Sequence, residues 1–484
     1  MHENKQHSSS TRGLVHNLSF SFLANLVSLF SSLIIVAVAT RHFQKAELGF
    51  FFLIMVITLF ASAIGDFGLR NSTIKTLAGK EKLELLSSVR YFLTLNAIGA
   101  FAISIAIALA TPRISDLTNT EHFLHEAWWA APVAFFTMKW QMIVSVLIGL
   151  SRLREVSRLT FVVELSRTII SLGGILCGRD IDILLIAIVV SRAFGILAFY
   201  FSNPDYLRPT FRVSGEREIW AFSGWVYGSN ILSITAGKIS DLFLNHLMGT
   251  AGLATYSTAM QIPLVINRGF ESARPVILGY ISSLKGGRDS ALENGARIVS
   301  GSLAISSIAI IFACPVLVPL LFSTNYIDSI PVLAALTLWV TAGLTNYYVS
   351  TALLGEGRGQ SVFLYSLLQL PVMTLCCSFL IPLLGPVGGA YALLLTALFG
   401  TFAYSYMLRR VYPGLSERLA RQTVMSVLPS FLYASISSSL TLSALSNFLL
   451  AAAALLALRL LDVARFSEFA SLARHIRLSL RESW

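Results

Sequence analysis

Fourteen apolar stretches recur along this chain, near residues 18–40, 47–69, 88–110, 124–149, 157–177, 181–201, 219–240, 250–270, 295–322, 329–353, 360–381, 387–408, 422–440 and 442–461. Each reaches the ~20 residues that a helix rising about 1.5 Å per residue needs to cross the hydrocarbon core of a bilayer. In lipid a backbone satisfies its polar groups only within helices or closed barrels, and stretches this long select helices. The expected fold is all-α and polytopic, with about 14 transmembrane helices. Composition agrees, because charged residues are only 13% of the chain, about half the share of an ordinary soluble domain. The first stretch is too long for a signal peptide and lacks a small-residue cleavage pattern, so it is expected to persist as a span. Cys177, Cys314, Cys376 and Cys377 show no metal-ligand spacing and read as small apolar residues.

The connections alternate in basic charge. The segment before the first span and those after each even-numbered span hold 28 of the 36 Lys and Arg, whereas Arg41, Lys45, Arg113 and Arg179 occupy the opposite side. By the positive-inside rule the N-terminus, the C-terminus and the basic loops are cytoplasmic, which requires an even number of crossings. The formal charge of +11 is thus an orientation signal, and no nucleic-acid partner is expected, since no stacking aromatic array accompanies it. In 462–484, Val463, Phe466, Phe469, Leu472 and Ile476 recur at helical spacing among arginines, the pattern of an amphipathic helix on the inner membrane surface.

Four basic residues, Lys139, Arg167, Arg192 and Lys238, lie inside apolar stretches. Charge in a span is costly unless it faces protein or a watery cavity, so they mark a polar path, and their sign suits an anionic cargo. Counted from the nearest connection, Lys139, Arg167 and Arg192 fall near the bilayer middle, where snorkelling is difficult, and Lys238, Asp241 and Asp66 fall nearer an edge. Glu164 precedes Arg167 by three residues, so an internal salt bridge rivals a transport role for both. Asp66 and Arg70, four apart at a cytoplasmic end, fit a gate or a helix-terminus contact. Neutral stripes accompany them: Asn17, Ser21, Asn25, Ser28 and Ser32 in span one, Thr58, Ser62 and Asp66 in span two, and Ser223, Tyr227 and Asn230, then Asp241, in span seven. Such spacing serves cargo contact or helix association. The candidate substrate-binding set is Lys139, Arg167, Arg192, Lys238, Asn25 and Asn230, and the candidate coupling or gating set is Asp66, Glu164, Asp241 and Arg70.

The basic run 207–218 divides the chain into an N-terminal lobe of six spans (1–210) and a C-terminal lobe of six (211–410), followed by two further spans and the tail (411–484). The segment 270–297 reads as the longest interior connection, with room for a surface helix, and Pro263, Pro315, Pro319, Pro331 and Pro371 can kink their spans. No HExxH, GxxxxGK[ST] or GxSxG pattern occurs, and the eight histidines form no credible metal cluster, so neither an enzyme nor a cofactor is expected.

Four further patterns carry a family resemblance: Thr40-Arg41-His42-Phe43 with Ala46-Glu47-Leu48-Gly49; Gly65-Asp66-Phe67-Gly68-Leu69-Arg70-Asn71; the run from Met248 and Gly249 to Tyr256; and Gly385-Pro386-Val387-Gly388-Gly389-Ala390. In these the chain resembles Wzx-type O-antigen and polysaccharide flippases of the multidrug/oligosaccharidyl-lipid/polysaccharide exporter superfamily, over nearly its whole length. The resemblance implies two six-helix lobes around a cationic cavity and movement of an undecaprenyl-diphosphate-linked oligosaccharide across a bacterial inner membrane. It also implies proton or sodium coupling, contact with membrane lipids, and a polysaccharide polymerase and chain-length regulator as partners in O-antigen, lipopolysaccharide or exopolysaccharide synthesis. The first six spans lack the acidic cluster of a cation-coupled drug exporter. That reading, a lipid II flippase and a non-transporting assembly partner are the alternatives.

Overall fold

A computed structural model of the protein describes residues 27–78, 82–117, 124–211, 216–283, 288–355, 359–409, 413–439 and 444–460, and all regular structure among them is helical. The helices are α1 (Val27–His42), α2 (Lys45–Asp66), α3 (Leu69–Ala78), α4 (Lys82–Leu117), α5 (Leu124–Ala127), α6 (Ala130–Gly149), α7 (Leu153–Leu176), α8 (Asp182–Ser202) and α9 (Glu216–Ser283). They continue with α10 (Arg288–Phe322), α11 (Ile330–Gly355), α12 (Gly359–Leu384), α13 (Pro386–Arg409), α14 (Pro413–Ser439) and α15 (Ala444–Leu460). Among the described residues nine helical segments are long and apolar enough to cross a membrane, and shorter apolar helices occur at Val27–His42 and Leu449–Leu458. The chain is a multi-pass membrane protein. Asn17, Ser21, Asn25 and the tail 462–484 lie outside the described residues.

Several expected boundaries move. The seventh and eighth spans form one element, α9, whose backbone departs from helix at Gly249 (φ 70°). The expected connection 270–297 is helix as far as Ser283 and again from Arg288, so the helices extend beyond the apolar stretches. The fourth stretch breaks at Trp128 and Trp129, between α5 and α6. Span two stops at Asp66: Phe67 (φ 47°) and Gly68 (φ 73°) are both left-handed, and the chain restarts as α3. A Cβ on Gly68 would lie 2.4 Å from the Ser223 carbonyl oxygen, so the close approach of α9 as well as the left-handed backbone calls for glycine there.

Contacts divide the molecule into two compact units, one ending at Ser257 and one beginning at Thr258. The loop-based boundary at 210/211 differs because the first part of α9 packs on earlier helices. Ser223 Oγ lies 2.6 Å from Ser72 Oγ, Trp220 Nε1 donates to the Tyr91 hydroxyl at 3.1 Å, and Tyr227 donates to the Ile64 carbonyl at 3.2 Å while its ring stacks on Phe67. The Thr250 backbone also sits where a Cβ on Gly49 would be, which brings together two of the glycine-containing patterns singled out above.

Within the first unit, α6 is an interior helix. Val133, Ala134, Met142, Ile143, Val146 and Leu147 are all fully buried, and the last four pack with Leu69, Val89, Tyr91 and Phe92. By contrast α7 and α8 leave Phe161, Ile169, Leu176, Phe194 and Phe201 exposed, an apolar surface that suits lipid. In the second unit α13 plays the interior part, with Ala390, Ala392, Leu393, Leu394 and Ala397 buried, and α12 exposes Leu375, Phe379 and Leu383.

Candidate functional site

Arg167 and Arg192 come from adjacent helices of one unit and occupy one electrostatic neighbourhood, which also contains Glu164. The α7 periodicity places Glu164 and Arg167 on one face, where Arg167 Nη2 lies 2.8 Å from Glu164 Oε2. This contact is close but misdirected, since Oε2 is buried and accepts no hydrogen bond. Arg167 Nη2 donates to Ser31 Oγ of α1 at 3.2 Å, and Ser31 Oγ is 2.5 Å from Thr168 Oγ1. The Arg167 Nε group is buried without a partner. Arg192, on α8, donates through Nη1 to the Thr137 hydroxyl of α6. A guanidinium carries five N–H donors in a planar fork, a donor set that suits an oxyanion.

Lys139 takes a different direction. At about 100° per residue it stands about 200° round α6 from Thr137. Its Nζ donates to the Leu93 carbonyl of α4 at 3.3 Å, and the residue is 7% exposed. Asn96 Oδ1 of α4 and the hydroxyls of Thr58 and Ser62 on α2 are also buried without a hydrogen-bond partner. The α2 stripe therefore faces protein, as its spacing required, with Thr58, Ser62 and Asp66 all buried.

Asp66 and Arg70 meet at the break between α2 and α3. The Arg70 backbone N–H donates to Asp66 Oδ1 at 3.3 Å, Arg70 Nε lies 3.4 Å from Asp66 Oδ2, and Arg70 Nη1 donates to Gln141 Oε1 at 2.9 Å. The carboxylate satisfies an N–H at the start of α3 and fixes the guanidinium that reaches α6. Lys238 and Asp241 form a separate pair in α9, Nζ to Oδ2 at 2.6 Å, with Asp241 also accepting from Ser240 Oγ at 3.3 Å. Asp241 is thus compensated within its own helix. Asn230 is half-buried.

The structure therefore groups Arg167, Arg192 and Glu164, and ties Lys238 to Asp241, Arg70 to Asp66, and Lys139 to a carbonyl of α4. Sequence reading missed Ser31, Thr137, Thr168 and Gln141. Thr137 and Gln141 flank Lys139 at two residues on either side and share the other face of α6, so their signal was present as spacing but without a known partner. Among the described residues no group of three or more His, Cys, Asp or Glu could hold a metal ion.

The profile of a family described as polysaccharide biosynthesis protein matches residues 38–331. Among curated protein sequences none matches the chain. Solved structures share its fold: a lipid II flippase, MurJ, in an inward closed conformation aligns with a TM-score of 0.67 at 12% identity, covering 91% of this chain and 97% of that one. A MATE transporter from Vibrio cholerae aligns with a TM-score of 0.61 at 16% identity, covering 85% of this chain and 100% of the other. A transporter from Pyrococcus furiosus, whose structure is described as having a binding pocket of reverse polarity that suggests a different function, aligns at 0.60 and 16% identity, covering 81% and 95%. At these identities the likenesses establish the fold.

Proposed function

The chain belongs to the polysaccharide biosynthesis protein family, and from that premise we propose that it is a flippase moving a polyprenyl-diphosphate-linked oligosaccharide across the bacterial inner membrane by alternating access. The observation that carries the reading is the pair Arg167 and Arg192, two guanidiniums from neighbouring membrane-spanning helices, the first with a buried, unpartnered Nε. Two forks of this kind suit the oxygens of a diphosphate, bound by charge-assisted and bidentate hydrogen bonds that replace its hydration. The lipid tail stays in the bilayer, and polar hydroxyls beside the arginines, such as Ser31 and Thr137, suit sugar hydroxyls. Termini and basic loops are assigned to the cytoplasm by the positive-inside rule. For the transport cycle we keep the lobe boundary at the 207–218 run, which lies inside the first compact unit, and proton or sodium coupling through Glu164 or Asp66 belongs to the same proposal.

The contacts of Trp220, Ser223 and Tyr227 with the region around α2–α4 form, in this reading, a cytoplasmic gate in its closed state, with Asp66 and Arg70 bracing the hinge at Phe67 and Gly68. Transport then requires these contacts to part. The test is translocation by the purified protein in vesicles, comparing a polyprenyl-diphosphate oligosaccharide with a cationic dye, with and without proton or sodium gradients. Movement of the sugar lipid is the expected result, and movement of the dye alone overturns the cargo assignment.

A further inference from the structure

The Arg167, Arg192 and Glu164 group carries two positive charges and one negative. We infer that Glu164 is an internal stand-in for the cargo's phosphate: it holds the anion position beside the arginines in the empty carrier and is displaced when the diphosphate arrives. This rests on the functional reading above and deepens it by naming the residue that sets affinity for the anionic head.

Three features of the geometry carry the inference. Glu164 Oε2 approaches Arg167 Nη2 to 2.8 Å without accepting a directed hydrogen bond, so it neutralises charge while leaving the hydrogen-bonding capacity of the site largely unspent. Arg167 Nε is buried and unpartnered, an unmet donor that an incoming oxygen can satisfy. Arg192 is held by a neutral hydroxyl, Thr137, and feels Arg167 and, with opposite sign and less strongly, Glu164, so the carboxylate paired with Arg167 offsets part of the repulsion between the two guanidiniums.

Displacement changes the charge offered by the group from one positive to two. A diphosphate diester carries one negative charge on each phosphate and has no second ionisation near pH 6 of the kind a phosphate monoester shows. The match is therefore two charges against two. When the head leaves, Glu164 returns, and the empty carrier is spared two uncompensated guanidiniums in a membrane interior, a state that is strongly unfavourable. Glu164 acts here as a specificity-determining and positioning residue, raising the threshold for weak anions and assisting release.

The experiment measures binding of a geranyl diphosphate diester of N-acetylglucosamine to the purified full-length protein in nanodiscs, with phosphatidylglycerol as a second probe. Removing the competing carboxylate in Glu164→Gln is expected to tighten diester binding about tenfold and to slow translocation, because release loses its competitor. A purely structural carboxylate predicts the reverse: weaker binding along with lower thermal stability. Glu164→Asp, whose shorter side chain withdraws from Arg167 while keeping the charge, is expected to tighten binding by a smaller factor and provides the same test if the Gln variant fails to fold. Equal or weaker binding by a folded variant overturns the inference and leaves the cargo reading standing. No binding by the unaltered protein overturns both. Equal gains for phosphatidylglycerol and the diester identify the occupant as any lipid phosphate and overturn the two-charge match.

Discussion

The two compact units share a construction of membrane helices around one interior helix, α6 in the first and α13 in the second, yet they treat polarity in opposite ways. The first unit holds charge in its spans: Lys139, Glu164, Arg167, Arg192, Lys238 and Asp241. In the second, no Asp, Glu, Lys or Arg occurs in 298–327, 329–355, 359–408 or 422–458. Its polar interior is neutral and largely self-satisfied. Ser307 Oγ lies 2.6 Å from Thr341 Oγ1, Asn346 Nδ2 donates to the Ala397 carbonyl at 2.5 Å, Thr401 donates to Asn346 Oδ1 at 3.0 Å, and the Tyr365 and Tyr404 rings pack 4.4 Å apart. Its described ion pairs join Glu293 to Arg297 and Arg418, where α14 meets α10. Neutral hydroxyls and amides join helices at little desolvation cost, whereas charges in lipid must be compensated. The contrast teaches that helix association alone needs no charge, so the charge retained by the first unit calls for a separate explanation, and it is there that the proposed cargo binding can be tested.

Substitutions can break or sharpen that contrast. The largest effect is expected from the double change Arg167→Gln and Arg192→Gln. Losing two charge-assisted contacts at about 1.5–3 kcal/mol each should lower translocation by at least about 100-fold. The protein should remain folded in the membrane by size-exclusion profile and melting; undiminished transport would end the assignment of charge to cargo. Next comes the gate: with native cysteines replaced, Ser72→Cys with Ser223→Cys should form a disulfide that stops transport until reductant is added, since the two Oγ atoms are 2.6 Å apart. Full turnover by the crosslinked protein would remove the gate.

In the second unit Asn346→Leu should cost about 1–3 kcal/mol of stability, because it strands the Ala397 carbonyl and the Thr401 hydroxyl. Transport per folded molecule should stay within about twofold, and a melting curve read beside a flux assay separates the two quantities. The smallest effect on transport concerns Lys238 and Asp241. Changing Lys238→Met alone should be destabilising by up to about 3 kcal/mol, since Asp241 is 2% exposed and loses its counter-ion. Adding Asp241→Leu should restore most of that loss and leave flux nearly unchanged; a strong flux defect in the double variant would move this pair into the cargo path.

Much of the fold was legible because a bilayer imposes a length and a composition on whatever crosses it. The spans at 157–177, 181–201 and 387–408 coincide with α7, α8 and α13 to within a few residues for that reason. The break at Gly249 was harder to place, since two consecutive spans with a short linker read alike whether the helices are separate or merged. The candidate site was legible residue by residue and not as a group. Glu164 and Arg167 could be paired in advance because three residues in a helix make neighbours of them. Arg192 with Thr137, Arg167 with Ser31 and Arg70 with Gln141 could not, since periodicity assigns a face to each residue without saying which helix covers it.

The sequence by itself determined that the chain crosses a membrane many times as helices and that deep basic residues lie in its first half, because hydropathy and 1.5 Å per residue are local properties. Tertiary structure alone decided which of those charges are spent within the protein. Lys238 is neutralised one turn along its own helix, Lys139 turns to a backbone carbonyl, Arg167 meets the Glu164 carboxylate, and Arg192 turns to the Thr137 hydroxyl. The reason is that compensation of charge in a low-dielectric interior acts over a few ångströms in space, and packing sets those distances between residues far apart in the chain.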